Sequence, residues 1–210
     1  KENYQGENLY VEYLNNGATI KSTDSWMSDS LFPTAGEYTI TVIVNGLPLV
    51  QIELKRRGVD IKEAVNQIMR YRKHSYQGLY HFIQLFVVSN GVDTKYFANS
   101  DKDILYSHTF FWTDDNNIRV TNLKDFSVVF LARDLLTKML TKFTILNDTD
   151  KIMMVMRPYQ VYATEALIRQ ATLTNRNAYI WHTTGAGKTL TAFKTAQILA
   201  ANPKIKKVVF

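Results

Sequence analysis

Tyr38-Thr39-Ile40-Thr41-Val42-Ile43-Val44-Asn45-Gly46-Leu47-Pro48-Leu49-Val50-Gln51-Ile52-Glu53-Leu54-Lys55 runs as two alternating, β-branched segments around one Asn-Gly pair. Such alternation is the signature of strands with two unlike faces, and Asn-Gly is a strong hairpin turn. Ile40, Val42 and Val44 form one apolar stripe; Val50, Ile52 and Leu54 form its match. Pairing the stripes sets the register, because a slip of one residue inverts every side chain. With a three-residue loop at 45–47, Val42 faces Val50, Ile40 faces Ile52, Thr39 faces Glu53 and Glu37 faces Lys55. Gln51, Glu53 and Lys55 then share the opposite face of the second strand.

Outward from this hairpin the pattern alternates between helix and strand. Ile61, Ala64, Val65, Ile68 and Met69 recur at helical spacing and predict an amphipathic helix over 59–72. Residues 82–88 read as a buried strand ended by Ser89-Asn90-Gly91, and 95–98 as a further short strand. Residues 114–117 read as a loop and 131–143 as a helix. Asn147-Asp148-Thr149-Asp150 opens a linker over 147–155, separating a module at 1–146 from one at 156–210. A helix starts at Pro158 and runs to about 171; Tyr179-Ile180-Trp181 reads as a strand; a Gly-rich turn leads into a helix over 189–200. Residues 1–36 are polar and carry no placeable signal. The final Lys207-Val208-Val209-Phe210 has the look of a core strand just begun, so a longer protein is expected.

Composition narrows the chemistry. The chain has 210 residues, 46% hydrophobic and 21% charged, the range of an ordinary globular protein. It has no cysteine, which excludes disulfides, thiolate metal sites and a thiol nucleophile. Its four histidines show no paired ligand spacing. No apolar run approaches the roughly 18 residues of a membrane span, and no leading segment resembles a signal peptide. The net charge of +6 is compatible with a polyanionic partner.

Two constellations carry chemistry. An acid, a hairpin and then Glu53-x-Lys55 is the pattern by which carboxylates hold Mg²⁺ at a scissile phosphate while a lysine orients water or offsets charge. The plainer alternative is an amphipathic strand with a solvated Glu/Lys face. Gln67 and Tyr71, four apart on the following helix, add to the first reading. Glu-x-Lys followed by Gln-x-x-x-Tyr resembles the RecB-like branch of the PD-(D/E)xK nucleases. That branch implies Glu53, Lys55, Gln67 and Tyr71 as catalytic residues, and an aspartate where this chain has Thr39. Glu37, two residues earlier on the same face, is the candidate to replace it as metal ligand beside Glu53. The second constellation is His182-Thr183-Thr184-Gly185-Ala186-Gly187-Lys188-Thr189 between a strand and a helix, the context of a P-loop. Backbone N–H groups over 184–187 would cradle phosphates, Lys188 would reach the β/γ-phosphates of ATP, and the Thr189 hydroxyl would hold Mg²⁺. Met156-Arg157-Pro158-Tyr159-Gln160, upstream of this loop, resembles the Q-motif of superfamily 2 helicases, which implies that Gln160 reads the adenine edge.

Together these blocks resemble the restriction (R) subunit of type I restriction–modification enzymes over residues 38–210. The resemblance is carried by Val44 through Lys55, Gln84-Leu85-Phe86-Val87-Val88-Ser89-Asn90-Gly91, Arg157-Pro158-Tyr159-Gln160 and Tyr179-Ile180-Trp181-His182-Thr183-Thr184-Gly185. It implies an α/β fold: a PD-(D/E)xK nuclease-like mixed sheet flanked by helices, then the beginning of a RecA-like helicase lobe. It implies Mg²⁺-dependent cleavage of double-stranded DNA coupled to ATP-driven translocation, in a cytoplasmic complex of a bacterium or archaeon. Modification (methyltransferase) and specificity subunits are the implied partners. The motor residues that turn ATP over lie beyond Phe210 in that family, so this stretch by itself is expected not to hydrolyse it. Two other classes compete: a degenerate nuclease fold that grips DNA without cutting, and an interaction protein with a vestigial nucleotide loop. Lys55-Arg56-Arg57 and Arg70, Arg72 and Lys73 offer a surface for the DNA backbone, against the alternative of solvated charge at element ends.

Overall fold

The computed structural model of the chain describes residues 9–15, 18–22, 38–74, 76–100, 104, 106–174 and 176–209. Those within 1–112 and 119–155 cluster as one compact unit, and those within 113–118 and 156–210 as a second.

The first unit is built on a six-stranded mixed sheet. Its strands are β1 (Leu9–Asn15), β2 (Ala18–Ser22), β3 (Tyr38–Val44), β4 (Leu47–Leu54), β5 (Leu85–Ser89) and β6 (Thr94–Ala98), in the order β2-β1-β3-β4-β5-β6. All neighbours are antiparallel except β4 and β5. A parallel pair needs a crossover, and helix α1 (Ile61–His74) supplies most of it. Asp60 starts this helix: its carboxylate accepts from the Lys62 N–H at 2.9 Å, satisfying one of the orphan donors of the first turn. Ile61, Ala64, Val65 and Ile68, one helical stripe, are buried against Phe86, Val88 and Phe97 of the sheet. On the opposite face Tyr96 packs on Trp112 and Phe130, with ring centroids 5.9 and 4.6 Å away. The central strands are therefore covered on both faces, which is why β5 is buried at every position.

The register at the hairpin is the expected one: Val42 pairs with Val50, Ile40 with Ile52 and Thr39 with Glu53. The loop is shorter than expected. Val44 pairs with Leu47, so Asn45 and Gly46 alone make the turn, in left-handed conformations. A bulge between Val42 and Ile43 takes up the extra residue beside Pro48, which has no N–H to give to a ladder.

Elsewhere the structure departs from the pattern reading in four places. The helix expected over 131–143 forms as α3 (Arg133–Thr141); a helix that the pattern did not show, α2 (Leu123–Val129), precedes it, and Phe130 and Leu131 between the two are buried in the core. Residues read as part of a linker contribute to a hairpin of strands β9 (Thr144–Asn147) and β10 (Ile152–Val155); β7 (Trp112–Thr113) and β8 (Arg119–Val120) precede it. In the second unit, helices α4 (Pro158–Leu173) and α5 (Lys188–Ala200) form, but Tyr179-Ile180-Trp181 is not a strand. Tyr179 and Trp181 are 84% and 87% exposed; with no neighbouring strand among the described residues there is no ladder to define one. Residues 207–209, where a further strand was expected to begin, form none either.

Candidate functional site

Register places Thr39, Glu53, Val88 and Lys95 in one row across the sheet, on the face that α1 covers. The row explains the site. The Thr39 hydroxyl donates to Glu53 Oε2 at 2.7 Å, and Lys55 Nζ lies 3.5 Å from Glu53 Oε1. Gln67, reaching down from α1, accepts from Lys55 Nζ through its side-chain oxygen, and its amide nitrogen donates to the Tyr71 hydroxyl at 2.7 Å. Four residues singled out in the sequence thus form one continuous chain of contacts, Glu53–Lys55–Gln67–Tyr71, to which Thr39 adds a donor. Glu37 lies outside the described residues.

The face is not solvated. Gln51, Glu53 and Lys55 are 1%, 1% and 7% exposed, so the reading of these residues as a water-facing strand surface is overturned. Burial of unlike charges is tolerated only when they are paired and hydrogen-bonded, and here they are. Beside them Thr41 donates to Gln51 at 2.9 Å, a second buried polar rung that the sequence reading did not single out. Its signal was visible: Thr39 and Thr41 share one face of β3, opposite Glu53 and Gln51.

The donor set bears on Mg²⁺. A hard cation takes several oxygens, with carboxylates prominent among them. Among the described residues Glu53 supplies one carboxylate here, and no group of three or more acidic, histidine or cysteine side chains gathers anywhere. These residues alone do not complete a Mg²⁺ site.

Tyr76, at the end of α1, continues the network through its ring. It lies 6.2 Å from Tyr71 and stacks near-parallel with Tyr80 and Phe86, at 6.1 and 6.0 Å. Burial first, then the Glu53 carboxylate, pushes its phenol well above the ordinary tyrosine range. Of the basic residues offered for a DNA backbone, Arg56, Arg57, Arg70 and Lys73 are exposed and Arg72 is half-buried.

The second constellation sits in the second unit. Gly185 and Gly187 adopt φ of +77° and +76°, the left-handed turns that let a backbone fold around phosphate, and α5 starts at Lys188 directly after them. The Lys188 ammonium lies over its own loop, donating to the carbonyls of His182 and Thr183 at 3.4 Å. Thr184 and Thr189 are exposed. Gln160 is buried against the loop rather than presented openly: its amide nitrogen donates to the Ala186 carbonyl at 3.1 Å and its oxygen accepts from the Arg157 N–H at 2.9 Å. One further N–H and one lone pair of that amide remain for a ligand. Tyr159, not singled out in the sequence, donates to the same carbonyl at 2.9 Å and meets His182 edge-to-face at 5.5 Å. These residues fit a nucleotide phosphate chain.

Comparison with known proteins agrees with the geometry. The family model described as "Type I restriction enzyme R protein N terminus" matches residues 33–103. The one described as "Type III restriction enzyme, res subunit" matches 153–210. The chain is 57% identical over 173 residues to the type I restriction enzyme SauCOLORF180P endonuclease subunit of Staphylococcus aureus (strain COL), covering 82% of this chain and 19% of that protein. It is 45% identical over 139 residues to the EcoprrI endonuclease subunit of Escherichia coli, covering 64% of this chain and 44% of the relative. A putative subunit of Methanocaldococcus jannaschii, MjaVIIP, is 25% identical over 193 residues, 82% of this chain and 18% of the relative. The chain therefore spans about a fifth of the length of the staphylococcal relatives. With both segments matched in order, and with the buried Glu53–Lys55–Gln67–Tyr71 network inside the first, the chain belongs to the endonuclease (R) subunit family of type I restriction enzymes.

Proposed function

We propose that this chain carries the DNA-cleaving module of a type I restriction subunit, over 1–146, and the first part of its RecA-like, ATP-driven motor, over 156–210. The observation that carries the reading is the Glu53–Lys55 contact, braced by Gln67 and Tyr71. In this reading Gln67 fixes the Lys55 ammonium where it offsets charge building on a scissile phosphate, and Glu53 orients the attacking water. Dependence on Mg²⁺ then requires a second carboxylate besides Glu53, for which Glu37 is the candidate. In the second unit the loop over 184–187, with Lys188 and Thr189, binds the phosphates and Mg²⁺ of ATP, and Gln160 and Tyr159 brace that loop beside the adenine. The substrate is double-stranded DNA, and the partners are modification and specificity subunits of one cytoplasmic complex. No described helix is long and apolar enough to cross a membrane.

The test is plasmid cleavage by the complete subunit assembled with those partners. Glu53→Gln and Lys55→Ala are expected to abolish cutting while ATP hydrolysis continues; cutting at the parent rate by either variant would overturn the assignment. One observation favours a second reading, a module that grips DNA without cutting: Thr39 stands where the nuclease pattern has an aspartate, and its hydroxyl engages Glu53. In that case the parent translocates without cleaving, and Thr39→Asp confers cutting.

A further inference from the structure

The parallel strands β4 and β5 end at the same edge of the sheet, and two turns meet there. The ladder runs one residue past β4: the Lys55 N–H donates to the Ser89 carbonyl at 2.7 Å. Arg56-Arg57-Gly58-Val59 then make a tight turn, closed by the Val59 N–H donating to the Arg56 carbonyl at 3.3 Å. Gly58 takes φ +88° at the third position of this turn, where a type II turn calls for glycine. Beside it the chain leaves β5 through Asn90-Gly91-Val92-Asp93 and returns as β6.

One side chain ties the two turns together. Asn90 Oδ1 accepts from the N–H groups of Val92 and Asp93 at 3.1 and 2.8 Å, which shapes its own turn. Its amide nitrogen donates across to the Val59 carbonyl at 2.9 Å, which holds the arginine turn. Gly91 completes the join. A Cβ at Gly91 would stand 3.6 Å from both Cγ and Nε of Arg57, so the arginine lies along the stretch of backbone that glycine leaves bare. Arg57 is nonetheless exposed, and so is Arg56. Neither has an ion pair among the described residues. An arginine whose stem is placed, and whose charge no carboxylate takes up, is prepared for an anion from outside the chain. Its planar fork matches phosphate.

The position of the turn says which anion. Arg57 follows Lys55 by two residues, so their backbones are at most about 7 Å apart. Successive phosphates of one DNA strand rise about 3.4 Å, so the pair spans neighbouring phosphates. The carboxyl ends of parallel strands are also where open sheets receive their ligands. We propose that Asn90 is a positioning residue for DNA: by tying the 56–59 turn to its own, it holds Arg57, laid along Gly91, as the contact for a backbone phosphate next to the one at Lys55. Ordering a long side chain at an interface costs roughly three- to tenfold in affinity, and this bracing removes part of that cost before DNA arrives. The inference rests on the reading of Glu53 and Lys55 as a DNA-cleaving site.

The experiment measures binding of fluorescein-labelled duplexes of unrelated sequence to the complete subunit, from about 50 to 200 mM salt. Arg57→Gln should weaken every duplex alike and reduce the slope of log affinity against log salt by about one, the loss of one phosphate contact. Arg57→Lys keeps the charge and should keep the slope. Asn90→Ala keeps both arginines, so it should leave the slope as it is and weaken binding roughly three- to tenfold. The double variant decides the role of Asn90. Once Arg57 is Gln there is nothing left to position, so adding Asn90→Ala should weaken binding no further. An asparagine that served the fold alone would lower affinity equally in both backgrounds. A parent slope in Arg57→Gln, or equal losses from Asn90→Ala with and without Arg57, would overturn the proposal. Either result leaves the cleavage reading intact, whereas plasmid cutting by Glu53→Gln overturns that reading and leaves the salt slopes as measured.

Discussion

Glu53 and Lys55 show how a single pair can be both structural and chemical. Each is buried, and each holds the other's charge in place. Lys55→Met leaves the Glu53 charge without its cation, and breaking a buried pair from one side costs about 3–5 kcal/mol. Glu53→Gln combined with Lys55→Met removes both charges and should recover most of that loss in chemical denaturation. A double variant as unstable as the single one would show that the pair contributes little to the fold. Thr39 tests the metal question. Thr39→Asp sets a second carboxylate against Glu53, with repulsion on the order of 4 kcal/mol at contact distance and an effective dielectric of about 20. Its Tm should therefore drop in a chelator and rise on addition of Mg²⁺ by several degrees more than the parent's. Tyr76 sets a limit at high pH. Its folded pKa is raised above the unfolded value of about 10, so the stability it contributes is complete below that pH and is lost as pH rises through the folded value. Urea midpoints measured from about pH 8 to 11 should fall less steeply in Tyr76→Phe than in the parent.

The β3–β4 hairpin was legible because every local signal agreed. Alternation fixed the faces, Asn-Gly fixed the turn, and together they placed Thr39 against Glu53 before any coordinates. What escaped was the bulge, because alternation gives the period of a strand and not an inserted residue; Pro48 was the available sign. Burial of the polar face also escaped. Sequence shows that Gln51, Glu53 and Lys55 share a side, but only the crossover of α1 decides that this side is covered. Helix α3 was legible to within two residues at each end, but α2 was missed. The Asn122 cap, accepting from the Lys124 N–H at 2.8 Å, was its overlooked start signal. The turn gives a prediction at this scale. Gly46 has φ +82° with open space around it, so Gly46→Ala meets no clash and carries only the left-handed penalty, about 1–2 kcal/mol by urea denaturation. A loss well beyond that would mean that the turn also sets the register of the site.

Over the whole molecule, two constellations of very different exposure follow each other along one chain: a buried ionic network in the first unit and an open phosphate loop in the second. The loop was legible from its glycines, its lysine and the helix after it. The strand expected before it was not formed, since a strand exists only through its neighbours. Gly187 gives the sharpest test of the loop. Its φ is +76°, and a Cβ there would stand 2.5 Å from the Gln160 amide nitrogen, a separation real side chains do not show. Gly187→Ala must therefore move either the loop backbone or Gln160, and each route breaks the bond that Gln160 makes to Ala186. Affinity of the complete subunit for a fluorescent ATP analogue should fall at least tenfold. Adding Gln160→Ala to Gly187→Ala relieves the clash but not the left-handed strain, so recovery should be partial. Lys188→Ala, which leaves the backbone untouched, should lose nucleotide affinity with no change in Tm. If Gly187→Ala binds the analogue as the parent does, then the loop is not a phosphate cradle, whatever its sequence suggests.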